Sequence, residues 1–148
     1  MNRIHLFGFA QGGTVAAEFG LRWWRSELER TKILNADAPD QEPRALASIV
    51  TVNGSLLSYP NTLQRPCPTP VLVAHRPPPS ESALPSNALA AFRKGYSTVI
   101  DANMGHGEGM PRSRDEWEPI MRFWSERLHR RQMEGLYEVM TGAAPIVT

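Results

Sequence analysis

Four short runs of consecutive apolar residues constrain the fold of this 148-residue chain more than any other feature. They are Ile4 to Phe9 (IHLFGF), Ala47 to Asn53 (ASIVTVN), Val71 to Ala74 (VLVA) and Ser97 to Ala102 (STVIDA). A strand wet on one side alternates polar and apolar residues. Runs that stay apolar at successive positions suit strands covered on both faces, as in parallel sheets. Segments of helical periodicity separate the runs. Thr14 to Arg30 sets Val15, Phe19 and Trp23 on one stripe, Asn87 to Lys94 sets Leu89 and Phe92 on one side, and Ile120, Phe123, Trp124 and Leu128 form a third stripe. This alternation predicts βαβ units with right-handed crossovers. The expected fold is α/β and three-layered, with a mostly parallel sheet of about four strands.

Prolines mark the connections, because proline cannot donate to a ladder and blocks helix interiors. Pro39 and Pro43 lie in one polar stretch; Pro60, Pro66, Pro68 and Pro70 precede the third run; Pro77, Pro78, Pro79 and Pro85 follow it. Pro119 predicts a turn over Ser113 to Trp117 and then a helix with proline near its first position. The length argues for one domain, placed at residues 1–131, with 132–148 as a weakly patterned tail. Sixteen basic residues against fifteen acidic ones give a net charge of +1, which excludes nucleic-acid binding driven by charge alone. A single cysteine, Cys67, excludes an internal disulfide framework and a multi-cysteine zinc site. No apolar run approaches the ~18 residues of a membrane span. The start of the chain lacks the pattern of a signal peptide, so the expected compartment is cytoplasmic. No cofactor is expected.

The segment Gly8-Phe9-Ala10-Gln11-Gly12-Gly13 leaves a strand and opens a helix. The nucleophile elbow G-x-S-x-G has this context. Its central residue sits on a strained turn, and small flanking residues let strand and helix approach. Gly8 and Gly12 take the flanking places, and Ala10 stands where the serine would be. The spacing fits neither G-x-G-x-x-G nor the P-loop pattern.

From His5 to Glu18 (HLFGFAQGGTVAAE) the chain resembles the elbow of the phospholipase/carboxylesterase family of α/β-hydrolases, which includes acyl-protein thioesterases and shows G-F-S-Q-G-G there. The resemblance continues through Gly54-Ser55, through Thr69 to His75 (TPVLVAH) and to Gly105-His106-Gly107, so it spans about Arg3 to Arg130. It implies the C-terminal half of an α/β-hydrolase fold. It also implies a carboxylesterase or acyl-thioesterase ancestry, with Ala10 at the nucleophile position and His106 at the base position. The backbone N–H of Gln11 would be one oxyanion-hole donor, and Gly8, Gly12 and Gly13 would form the elbow. The triad aspartate would fall near Pro79, where none stands; Glu81 lies two residues on. A histidine without its nucleophile cannot perform acyl transfer by the usual route. The expectation is therefore an impaired hydrolase. The alternatives are a binding module for a small acyl-like ligand or a partner protein, and a truncated gene product.

Other chemistry-bearing residues carry less. His75, His106, Asp101 and Glu108 lack helical ligand spacing, so no metal site is expected. His5 fits a satisfied core or edge histidine and His75 a strand cap. Cys67, between Pro66 and Pro68, reads as a loop thiol. The interspersed charges of the first and last helices read as solvated faces. In the family resembled, Ile4 to Phe9 is an interior strand. Here the sheet starts on it, so an open edge and self-association centred on Ile4, Leu6 and Phe7 are expected.

Overall fold

A computed structural model describes residues 3–34, 42–57, 65–81 and 83–141, with side chains at 3–32, 42–57, 65–81 and 83–127. Strand β1 (His5–Phe9) leads almost directly into helix α1 (Gln11–Leu34). Then come β2 (Ser48–Val52), β3 (Val71–His75), α2 (Ala88–Gly95), β4 (Val99–Asn103) and α3 (Arg114–Thr141). The four strands form one fully parallel sheet in the order β1-β2-β3-β4. Each apolar run has become a strand, within two residues at either end.

Alternation along the strands splits the core into two layers. Leu6, Ile49, Val71, Val73 and Val99 face α1 and α2, where Ala17, Leu21, Trp24, Phe92 and Tyr96 cover them. Val50, Val52, Leu72, Ala74 and Ala102 face α3, covered by Ile120 and Phe123. Every residue of β2, and all of β3 except His75, is buried. That explains why these runs are apolar at successive positions.

Three expectations are corrected. The spacing of Val15, Phe19 and Trp23 is helical, but that stripe does not face the sheet: Val15 is 66% exposed and Phe19 46%. The sheet-facing stripe is Gly13, Ala17, Gly20, Leu21 and Trp24. Gly13, Ala17 and Gly20 in it are small because α1 lies close to the strands there. A Cβ on Gly20 would stand 2.5 Å from both Ile49 Cδ1 and Tyr96 Oη.

The second correction concerns Pro119. α3 begins at Arg114 and carries the proline inside it, without a preceding turn. Ser113 caps the start: its Oγ accepts the Glu116 N–H at 3.2 Å and its carbonyl accepts the Trp117 N–H at 3.1 Å. Proline this near the start forfeits one hydrogen bond, to the carbonyl of the exposed Asp115, which water can satisfy. The helix also runs through Gln132 without a break. Residues 142–148 and the Leu128 side chain lie outside the described residues.

The third correction is Cys67, which is 1% exposed rather than a loop thiol. The flanking prolines deliver it beneath α1, with its Sγ 3.9 Å from the Gly20 carbonyl. Burial pushes the thiol pKa up. No helix among the described residues is long and apolar enough to cross a membrane.

Candidate active site

Only Ala10 separates β1 from α1, so one residue must reverse the chain from strand to helix. Its φ is 51°, in the left-handed region that costs a residue with a Cβ roughly 1–2 kcal/mol. Two hydrogen bonds hold it there. The Ala10 N–H donates to Val52 O at 2.7 Å, and the Ala10 carbonyl accepts the Thr14 N–H at 3.1 Å. The turn is tight enough that a Cβ on Gly8 would lie 2.2 Å from Gly12 O. A Cβ on Gly13 would lie 3.0 Å from Gly8 O and 3.1 Å from Thr51 Cβ. Gly54, just after β2, closes the other side: its Cβ would meet Ala10 O at 2.8 Å. Gly12 is different. Nothing lies within 4 Å of where its Cβ would be, so only the backbone at that position belongs to the close approach.

The result is a strained strand–turn–helix with a methyl group at its apex. Gln11 is the first residue of α1, among the N-terminal amides that have no partner within a helix. These amides carry the positive end of the helix dipole, the kind of environment that favours a developing oxyanion. An apex methyl can neither attack a carbonyl nor accept a proton.

The other predicted positions also lie beyond the carboxyl ends of the strands, where α/β sheets place their sites. His106 follows β4 in a loop with positive φ at Gly105, Gly107 and Gly109. It is exposed and no hydrogen bond holds its ring among the described residues, so nothing orients it as a triad base is oriented. An acid that reaches the turn after Pro79 is Glu108, from the His106 loop itself. Its carboxylate accepts Ser80 Oγ–H at 2.8 Å and the Glu81 N–H at 3.1 Å. The Glu81 side chain points to no described partner, and the residue is exposed.

The four residues considered as metal ligands do not converge. His75 Nε2 pairs with Asp101 Oδ1, while Glu108 is engaged by the 80–81 turn. Among the described residues, no group of three or more His, Cys, Asp or Glu side chains could hold a metal ion. His5 is satisfied by Ser48 Oγ at 2.6 Å.

One residue that the sequence did not single out organises this end of the sheet. Arg76, directly after β3, is 1% exposed. Its Nε donates to Gly109 O at 3.2 Å and its Nη2 to Met110 O at 2.9 Å; Nη2 also pairs with Glu116 Oε2 at 2.9 Å. Asn53 joins in, accepting the Arg76 N–H at 3.2 Å and donating to Gly109 O at 3.4 Å. The loop that carries His106 is thereby tied to the ends of β2 and β3 and to the start of α3. Hydrogen bonding from Arg76 holds the Glu116 carboxyl below its ordinary pKa. The guanidinium also explains Gly107, whose Cβ would lie 3.1 Å from Arg76 Nη1. The sequence signal was a charged residue at the end of a strand that is buried except for His75.

No family model matches the chain. An uncharacterized hydrolase of Mycosarcoma maydis is 31% identical over 137 residues, covering 89% of this chain and 45% of that protein. The crystal structure of a single-substitution variant of Arabidopsis thaliana SOBER1 superposes with a TM-score of 0.56 at 16% identity, covering 86% of this chain and 54% of SOBER1. The chain spans about half the length of the relatives it matches. The strand–elbow–helix unit, the parallel sheet and the likeness to SOBER1 agree: the chain has an α/β-hydrolase-like fold.

Proposed function

We propose that this chain is a catalytically silent relative of serine hydrolases of carboxylesterase or acyl-thioesterase type. The observation that carries the reading is Ala10 at φ 51°, an elbow with its strain retained and its nucleophile replaced. Two further features support it. His106 has no orienting partner among the described residues, and no carboxylate stands at Pro79. Acyl transfer by this superfamily's route needs an attacking hydroxyl, a base to take its proton and an acid to orient that base; the first is missing outright and the third is unfilled. The amide of Gln11 could still polarise a carbonyl, but a lone donor with no nucleophile accelerates little. The compartment we propose is the cytoplasm, on the single buried cysteine.

The test is turnover of short p-nitrophenyl esters together with fluorophosphonate labelling of the purified chain. The expected result is background hydrolysis and no labelled residue. Labelling within Gly8 to Gly13, or turnover abolished by His106→Ala, would overturn the reading. Ala10→Ser should restore little, because losses of residues acting as a unit are not repaired singly. A kinetic burst in Ala10→Ser would show that Glu81, Glu108 or another acid orients His106. A second reading, a binding module, is favoured by the exposed aromatic side chains along β1 and α1 (Phe7, Phe9 and Phe19).

A further inference from the structure

Among the described residues, the buried side-chain atoms without a hydrogen-bond partner are Thr51 Oγ1, Arg76 Nη1, Trp124 Nε1 and Arg127 Nε. Thr51 and Trp124 are neutral, and Arg127 is partly exposed. Arg76 is both charged and almost wholly buried, at 1% exposure. Its Nε and Nη2 are engaged by Gly109 O, Met110 O and Glu116 Oε2. Both N–H groups of Nη1 are left idle. A buried, charged donor without an acceptor is costly, and it marks a place that water or an ion should fill.

The direction of that donor is fixed. Of the guanidinium atoms near Gly107, Nη1 is the closest: a Cβ there would stand 3.1 Å from Nη1, 3.5 Å from Cζ and 4.0 Å from Nε. Nη1 therefore faces the loop from Gly105 to Gly109, while Nη2 faces the start of α3. The loop alternates the sign of φ. Gly105 (83°), Gly107 (142°) and Gly109 (74°) are positive, and His106 and Glu108 are not. Successive amides in such a run form a concavity that suits an anion. The amides of His106 and Gly107 have no partner among the described residues, and both residues are exposed. The loop is thus a thin cover, with solvent on its outer side and the idle Arg76 donors beneath it. Nothing lies within 4 Å of a Cβ at Gly105 or Gly109, so open space flanks the loop at both glycines.

We propose that Arg76 Nη1 and the Gly105–Gly109 loop form a binding site for a carboxylate monoanion. One carboxylate oxygen accepts from Nη1, and the other accepts from the amides of His106 and Gly107 as the loop shifts outward over the ligand. Charge selects the class. Glu116 already balances Arg76, and the loop itself carries the Glu108 carboxylate. A dianion such as phosphate would meet both carboxylates with Arg76 already paired. A monoanion brings less charge and the planar shape that a guanidinium edge matches. The site lies beyond the carboxyl ends of the strands, where open α/β sheets take their ligands. It goes beyond the catalytically silent reading, because binding here needs neither a nucleophile nor its absence.

The experiment titrates the purified chain with sodium acetate at neutral pH and constant ionic strength, with chloride making up the balance, and follows Tm. A parallel titration uses inorganic phosphate. The expected result is a saturable rise whose midpoint is on the order of 1 mM, as suits so small a ligand. At about fifty times that concentration the rise should reach roughly 5–9 °C. Phosphate should bind about tenfold more weakly or worse, through repulsion by the two carboxylates. Arg76→Lys keeps a cation for Glu116 but has no Nη1, so it should lose the acetate shift measured against its own ligand-free melt. In the parent chain, acetate should perturb the His106 and Gly107 amides in amide NMR, a readout that stands even if Arg76→Lys does not fold. The proposal is overturned by the lack of an acetate-dependent rise, or by a rise undiminished in folded Arg76→Lys. Phosphate binding as tightly as acetate, or amide changes that map away from the loop, overturns it equally. None of these readouts measures hydrolysis, so failure of this site and failure of the catalytically silent reading are told apart.

Discussion

Replacing Gly8 and Gly12 by alanine, one at a time, separates what the elbow motif implies from what its packing requires. By motif the two glycines are equivalent. By geometry they are not. A methyl on Gly8 would stand 2.2 Å from Gly12 O, 2.3 Å from Gly12 C and 2.4 Å from Gly13 N. All three atoms are backbone at the start of α1, so no side chain can rotate away. The helix would have to lift off the strand, stretching the bonds from Ala10 N–H to Val52 O and from Thr14 N–H to Ala10 O. Overpacking that flexible side chains absorb costs about 1–3 kcal/mol; against backbone we expect the top of that range or beyond, about 3 kcal/mol. At this size each kcal/mol moves Tm by roughly 2–4 °C, so Gly8→Ala should melt roughly 6–12 °C lower. Gly12 is exposed, helical and has nothing within 4 Å of its Cβ position. Gly12→Ala should therefore be stabilising by about 0.5–1 kcal/mol, through helix propensity and the loss of unfolded-state freedom. Urea and thermal melts of the two variants decide the matter. A Gly8→Ala protein within about 1 kcal/mol of the parent, or a Gly12→Ala protein as damaged as Gly8→Ala, would refute the close approach described above.

Ala10→Gly should be neutral or up to about 1 kcal/mol stabilising, because glycine adopts φ near 51° freely and this relief offsets its entropy cost; a clear loss in denaturant melts would mean that the elbow has relaxed in solution. The Arg76–Glu116 pair should make stability fall in acid. The Glu116 pKa is lowered in the folded state, so its contribution is complete above the ordinary glutamate value of about 4.3 and is lost as pH falls through the lowered value. Melts from neutral pH down should show a shallower decline for Glu116→Gln, and identical slopes would exclude the linkage. Cys67, buried with its thiol pKa raised, should react with a thiol reagent only as fast as the chain unfolds; rapid labelling of the native protein would place it outside the core.

Much of the fold was legible in local sequence. The central strands were readable because they are buried on both faces, so β2 (Ser48–Val52) and β3 (Val71–His75) had to be apolar at successive positions. The elbow was readable because a strand that turns into a helix through one residue needs glycine where backbones meet, and Gly8 and Gly13 sit there. The residue types themselves settled that Ala10 carries no nucleophile. Other features needed the third dimension. Which stripe of α1 faces the sheet depends on how closely the helix approaches, and Gly13, Ala17 and Gly20 win over the bulkier Val15 and Phe19 because only small residues fit against Thr51, Tyr96 and Ile49. Cys67 looked like a loop residue because burial of an irregular segment is decided by what packs over it. Arg76 was invisible as an organiser. Its partners Asn53, Gly109, Met110 and Glu116 lie far from it in sequence, and a hydrogen-bond network across chain distances of 23 to 40 residues has no local periodicity to betray it. Composition and periodicity report which residues must be buried; only the tertiary structure determines which neighbours bury them.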